Sequence, residues 1–243
     1  MENIVLITGA SGTIGASIAR LLNKKGYPLA LHYHNNGEGA GRLASEFLPD
    51  GAPYITVCAD VSDEKSVEAM FRDIERRLGK VSILINNAGL ALPQKLFSTC
   101  TTAEYEAVFD VNVRGAMLCS KACIPSMTAR RNGCIINIAS IWGLVGASCE
   151  VIYSASKAAL IGFTKSLAKE LLPTEVRVNC IAPGLVLSEM NAHLSDEELA
   201  AACIEQLRGL PIPPNDVAEA CAYLVEAKSV TGQVLSIDGG ASL

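Results

Sequence analysis

Ile4-Val5-Leu6-Ile7-Thr8-Gly9-Ala10-Ser11-Gly12-Thr13-Ile14-Gly15 decides how the rest of the chain is read. A short apolar run enters a glycine-rich turn, and an amphipathic pattern leaves it. Gly9 permits a tight turn, Gly12 lets backbone approach a ligand closely, and Gly15 lets helix and strand pack together. The free N–H groups at the start of the following helix then offer a seat for the pyrophosphate of a dinucleotide.

Outward from this turn the pattern repeats. Apolar runs at 3–8, 28–33, 53–58, 82–86, 133–139, 175–181 and 233–237 alternate with helical patterns near 13–25, 38–48, 63–78, 101–127, 151–171 and 214–227. Several runs are apolar throughout, as strands buried on both faces are. Strands alternating with helices imply a parallel sheet with right-handed crossovers and helices on both faces. The expectation is one α/β domain over residues 1–243, doubly wound around a seven-stranded parallel sheet. Ser62-Asp63-Glu64-Lys65 and Ser195-Asp196-Glu197-Glu198 place small polar caps before acidic first turns, and Pro173 closes the helix over 151–171. The less regular segment 185–213 has one short helical pattern at 196–207 and the prolines Pro211, Pro213 and Pro214, and reads as a lid over a site.

Composition narrows the classes. The chain has 243 residues, half of them apolar, and a formal net charge of −5 with scattered basic residues, so a broad nucleic-acid footprint is not expected. No apolar run approaches the ~20 residues a membrane span needs, nothing resembles a signal peptide, and the expected location is cytoplasmic. The nine cysteines include no C-x-x-C pair and accompany only three histidines, which fits reduced thiols used as small apolar residues and no metal site. Cys149 stands apart because it lies four residues before Tyr153.

Tyr153-Ser154-Ala155-Ser156-Lys157 places a phenol and an ammonium one helical turn apart. A cation beside a phenol lowers its pKa, which suits proton exchange with a ketone or alcohol oxygen; Ser140 is placed to hydrogen-bond the same oxygen. At the end of the second strand His34, Asn35 and Asn36 stand where an acid would chelate a ribose diol, and the first acid is Glu38. Their donors favour the 2′-phosphate of NADP(H), with NAD(H) an alternative and plain turn residues another. Asp60 ends the third strand, where it can accept from an adenine amino group. Asn86-Asn87-Ala88-Gly89 ends the fourth, where small residues let the sheet edge meet a ribose.

Together with Asn112, Pro183-Gly184 and Asp238-Gly239-Gly240, these segments resemble the short-chain dehydrogenase/reductase family over essentially the whole chain, and within it the bacterial 3-oxoacyl-acyl-carrier-protein reductase group. The resemblance implies a Rossmann-type fold and a catalytic set of Asn112, Ser140, Tyr153 and Lys157. Asn112 would hold a water beside Lys157, Ser140 would orient the carbonyl, Tyr153 would be the acid in reduction, and Lys157 would lower its pKa and bind the nicotinamide ribose. The implied cofactor set is Gly9, Ser11, Gly12, Thr13 and Ile14, then His34, Asn35, Asp60, Val61, Asn87, Ala88 and Gly89, with Tyr153, Lys157, Pro183, Gly184, Val186 and Ser188. Two departures concern the glycine turn: Thr13 replaces a usual glycine, and Gly12 replaces a frequent basic residue. Asp238 reads as a structural turn residue.

Trp142, Cys149 and Glu150 are the substrate-side candidates, each with a second reading: core packing for Trp142, an ordinary thiol for Cys149 and a solvated helix start for Glu150. As function, the resemblance implies reduction of a ketone carried on an acidic carrier protein, for which Arg130-Arg131 and Lys169 form a candidate docking patch or an ordinary surface. The stretch Trp142 to Glu150 also looks similar to reductases of the aminopentanone group on elongation factor P, whose ammonium Glu150 would suit. Small-molecule ketones stay open, and a nucleotide-sensing regulator on the same fold is the non-enzymatic alternative. A homotetramer built through helices 101–127 and 151–171 is also implied.

Overall fold

The computed structural model describes residues 3–47, 51–188, 195, 197, 199–200, 203, 206 and 209–243. Seven parallel strands, β1 (Ile4–Ile7), β2 (Leu29–Tyr33), β3 (Tyr54–Cys58), β4 (Val81–Asn86), β5 (Gly133–Ile138), β6 (Val176–Pro183) and β7 (Val234–Ile237), form one sheet in the order β3-β2-β1-β4-β5-β6-β7. The winding reverses between β1 and β4, so the crevice beyond their carboxyl ends is the expected ligand site.

The apolar runs divide by strand alternation. Val5 and Ile7 of β1, with Leu29 and Leu31 of β2, face a core closed by α1 (Thr13–Lys24), α2 (Gly37–Ser45) and α8 (Pro214–Glu226). Ile4, Leu6 and Ala30 face the opposite core, closed by α3 (Glu64–Arg77), α5 (Ala116–Ala129) and α7 (Val151–Leu171). Cys119, Cys123, Cys134 and Cys221 are members of these two cores, which agrees with their use as small apolar residues. The edge strands β3 and β7 are the least covered, as edges must be.

The helical pattern over 101–127 is not one helix. It is α4 (Thr102–Phe109), a π-helical turn (Asp110–Gly115) and α5. A π turn inserts a residue into the helix and marks a functional bend more often than a structural one. Here it contains Asn112, whose amide bonds to a neighbouring loop and helix. Thr101 and Glu104 form a capping box at the start of α4, and Asp63 caps α3 through Lys65 and Ser66. A short helix α6 (Trp142–Val145) precedes α7. Most of the helical pattern expected at 196–207 lies outside the described residues.

Candidate active site

The glycine turn is built as its residues require. Gly9 has φ +64°, and a side chain there would press on Ala88 at 3.0 Å. A Cβ on Gly15 would collide with the Gly9 carbonyl, with Asn87 Nδ2 at 2.8 Å and with Ala10 Cα at 2.9 Å. Gly12 by contrast meets nothing nearer than 3.5 Å, so the mouth of the turn is open. Thr8 and Asn87 fasten the turn across the β1/β4 switch. The Asn87 and Ala88 N–H groups donate to Thr8 Oγ1 at 2.9 and 3.0 Å, and Asn87 Nδ2 donates to the Thr8 and Gly9 carbonyls at 3.0 Å each. The amide of Asn87 therefore shapes the turn from within.

At the end of β2 the three polar residues separate. Asn36 accepts from Gly39 N at 2.8 Å and caps α2, which removes its carbonyl from ligand binding. His34 and Asn35 remain exposed at the strand end. Asp60 uses Oδ1 for the Ser62 N–H at 2.9 Å and hydroxyl at 2.6 Å, and these bonds hold its carboxyl below the usual range.

The catalytic candidates converge beyond β4 and β5. Tyr153 and Lys157 lie on α7, and Lys157 Nζ sits 5.5 Å from the tyrosine ring centroid. Lys157 is buried and donates to the Ile138 carbonyl at 2.9 Å. Burial lowers its pKa to about 8. Burial also pushes the Tyr153 phenol well above its ordinary value; Glu150 adds to the rise, and a hydrogen bond with Ser140 opposes it. This corrects the expectation that Lys157 lowers the tyrosine. With its ammonium turned to the Ile138 carbonyl, desolvation is the largest influence on the phenol.

Asn112 makes three hydrogen bonds within the chain. Its Oδ1 accepts from Leu90 N at 2.7 Å, while Nδ2 donates to the Leu90 carbonyl at 2.9 Å and Ser156 Oγ at 3.0 Å. Ser156 in turn donates to the Tyr153 carbonyl at 2.7 Å. Asn112 thus clamps the loop after β4 to the helix carrying Tyr153. Gly89 keeps a gap here, since a Cβ on it would meet Lys157 Nζ at 3.4 Å and Asn112 Oδ1 at 3.5 Å.

Trp142 stands edge-on to Tyr153, with ring centroids 6.1 Å apart, so it packs on the catalytic candidate itself. Glu150 is buried at the start of α7, not solvated, and lines one cleft with Tyr153, Cys149, Leu92, Pro93 and Lys95. Cys149 has φ +61°, an unusual conformation for a residue with a Cβ, and its carbonyl accepts from Lys95 N at 3.2 Å.

Pro183 and Gly184 end β6, where Gly184 N donates to Ile237 O at 2.9 Å. Val186 is buried and Ser188 lies half-buried just after β6. Gln206, unnoticed in the sequence, links the residues after β6 to those before α8 by accepting from Leu185 N at 2.8 Å and donating to the Leu210 carbonyl at 3.1 Å. A glutamine inside a polar segment carries no signal by itself. Asp238 accepts from Gly240 N and Ser242 N at 3.0 Å each and is a turn residue, as read.

The basic patch lies elsewhere. Arg130 and Arg131 follow α5 where β5 begins, and Lys169 nears the end of α7 before β6, so all three occupy the sheet edge opposite the glycine turn and Ser140. Arg130 donates to the Val81 carbonyl at 2.8 Å, and Arg131 pairs with Glu175 at 2.6 Å. Both arginines bond within the chain, and the patch lies at the amino ends of the strands.

The profile of the short chain dehydrogenase family matches residues 3–199. Curated relatives extend the match to the whole chain. The 3-oxoacyl-(acyl-carrier-protein) reductase of Bos taurus is 35% identical over 247 residues, covering 100% of this chain and 99% of the relative. The protein of the same name from Homo sapiens is 36% identical over 247 residues, with 100% and 99% covered. That of Staphylococcus aureus strain Mu50 is 35% identical over 246 residues, with 99% and 98% covered.

Proposed function

The chain belongs to the short-chain dehydrogenase family and is an oxidoreductase acting on the CH–OH/C=O pair; from that premise we propose that it reduces a ketone to a secondary alcohol with NADPH, Tyr153 giving the proton. One observation carries this reading: Tyr153, Ser140 and the buried Lys157 converge beyond β4 and β5, with Lys157 Nζ 5.5 Å from the tyrosine ring.

The residues fit a nicotinamide dinucleotide. The open face of Gly12 and the positive φ of Gly9 leave a cradle that a Cβ would fill, at the N-terminus of α1. Asp60 with Val61 would hold the adenine, and His34 and Asn35 the 2′-phosphate. Ala88 and Gly89 would border the ribose with Lys157, while Pro183, Gly184, Val186 and Ser188 would meet the nicotinamide half. Such a cofactor, when bound, supplies the hydride. Ser140 orients the carbonyl oxygen by hydrogen bond, and Tyr153 delivers its proton to that oxygen. Lys157, buried beside the Tyr153 ring, borders the ribose site, and Asn112 with Ser156 holds the helix that carries both groups.

The substrate class follows the relatives by name: a 3-oxoacyl group on an acidic carrier protein. The buried Glu150 beside Tyr153 favours a second reading, a ketone bearing an ammonium, such as the aminopentanone on elongation factor P. We also propose a cytoplasmic homotetramer through α4, α5 and α7, supported by the exposed Tyr105 and Met117 and checked by light scattering.

The test is loss of NADPH absorbance with acetoacetyl-carrier-protein, aminopentanone-modified elongation factor P and small ketones, each repeated with NADH. Tyr153→Phe is expected to lower turnover at least ~100-fold, and near-normal turnover in that variant overturns the mechanism.

A further inference from the structure

His32 is a buried titratable side chain that the chemistry above does not use. It lies on β2, directly beneath the glycine turn, and is 1% exposed. The Gly9 N–H donates to His32 Nδ1 at 3.1 Å, and His32 Nε2 stands 3.1 Å from the Ala59 carbonyl. The backbone adds a third link, since Ala10 N donates to the His32 carbonyl at 2.8 Å.

One protonation state satisfies this geometry. A carbonyl can only accept, so Nε2 carries the proton; a backbone N–H can only donate, so Nδ1 carries none. A second proton on Nδ1 would face the Gly9 N–H donor head-on in a site without solvent.

We propose that His32 is a positioning residue of the cofactor site: its neutral, Nε2-protonated ring holds the Gly9 N–H inward and keeps the turn in its ligand-binding shape, and a second proton releases the turn. The proposal rests on the reading of that turn as a nicotinamide-dinucleotide site.

The surroundings support the neutral ring. Burial lowers the His32 pKa below its ordinary value; His34 just beyond β2 also lowers it, and the Ala59 carbonyl and Asp60 beyond β3 act the other way. Cys58, also on β3, turns its thiol to the His34 carbonyl, and the turn itself brings only Gly9, Ala10, Ser11 and Gly12, all uncharged. The sign is that of a base whose folded pKa is depressed. The turn is intact above the unfolded value of about 6.5 and loosens as pH falls below it.

The experiment measures dissociation constants of NADPH and NADH from pH 8 to pH 5 for the wild type, His32→Asn and His32→Gln. NADH lacks the 2′-phosphate and so removes that group's own titration. The wild type is expected to bind both dinucleotides about tenfold more weakly at pH 5 than at pH 8, the scale of one lost buried hydrogen bond. His32→Asn keeps an acceptor near Gly9 and should bind with no acid loss. His32→Gln places its amide at the Ala59 end and should bind weakly at every pH. Nitrogen-15 NMR of the ring should show Nε2–H with bare Nδ1 at pH 7, with or without dinucleotide.

Flat wild-type binding from pH 8 to pH 5, an equal acid loss in His32→Asn, or an Nδ1–H ring at pH 7 overturns the role of His32. No dinucleotide binding at pH 8 overturns the reading of the turn, and this proposal with it.

Discussion

The two sides of the cleft are built differently. On the cofactor side, strand ends carry short polar side chains that bond to one another: Thr8 to Asn87 and Ala88, His32 to Gly9, Asp60 to Ser62. On the substrate side the surface comes from loops and a short helix. Cys149 sits at positive φ there, Glu150 is buried beside a phenol, and Phe97 and Val151 are exposed around the opening. The first side has one shape fixed by the sheet, and the second has a shape that changes with loop sequence. Chemistry is thus placed where the fold is rigid, and substrate choice where it is variable.

Substitutions can break this contrast, and the cofactor side should respond most strongly. Gly15→Ala drives a Cβ into the Gly9 carbonyl and Asn87, and should weaken NADPH binding on the order of 100-fold, the upper range for an overpacked site. Calorimetric titration checks it, and an unchanged affinity would show that the turn is softer than its bonds imply.

Lys157→Met should lower turnover by about 100-fold yet stabilise the protein without cofactor at pH 7. The folded pKa of Lys157 is about 8, below its unfolded value, so burial of the charge opposes folding below that pH and the penalty fades as pH rises toward the unfolded value. Melting temperatures at pH 7 and pH 10 should therefore differ between the two proteins more at the lower pH. A destabilised variant at pH 7 would mean that the bond to Ile138 outweighs the desolvation of the charge.

The substrate side should give smaller and more selective effects. Glu150→Gln is expected to raise KM about tenfold for a ketone carrying an ammonium, the scale of one charge-assisted bond, and to leave KM for a neutral ketone unchanged. Equal effects on both substrates would remove Glu150 from recognition. Smallest of all, Cys149→Asn places a residue that tolerates positive φ and should stabilise the fold by up to about 1 kcal/mol in a denaturant titration.

The alternation of apolar runs and amphipathic stretches was enough to locate all seven strands, the inner ones most plainly because strands buried on both faces stay apolar along most of their length. The helix over 151–171 was legible to its ends, Val151 and Leu171. The stretch 101–127 was not, since a π turn keeps helical periodicity on either side and displaces only the residues between. Site residues divide in the same way. Tyr153, Lys157 and the glycines announce themselves by spacing, whereas His32, Ser156 and Gln206 matter only through partners distant in the chain.

Sequence alone determined the order of elements, the glycine turn and the pairing of Tyr153 with Lys157, because each depends on neighbours within a few residues. Tertiary structure alone decided three other things: that burial raises the Tyr153 phenol, that Asn36 serves a helix cap, and that Arg130 and Arg131 bond within the chain at the amino ends of the strands. The reason is the same for all three. Desolvation, hydrogen-bond partners and position on the sheet are set by residues that the chain brings together only when it folds.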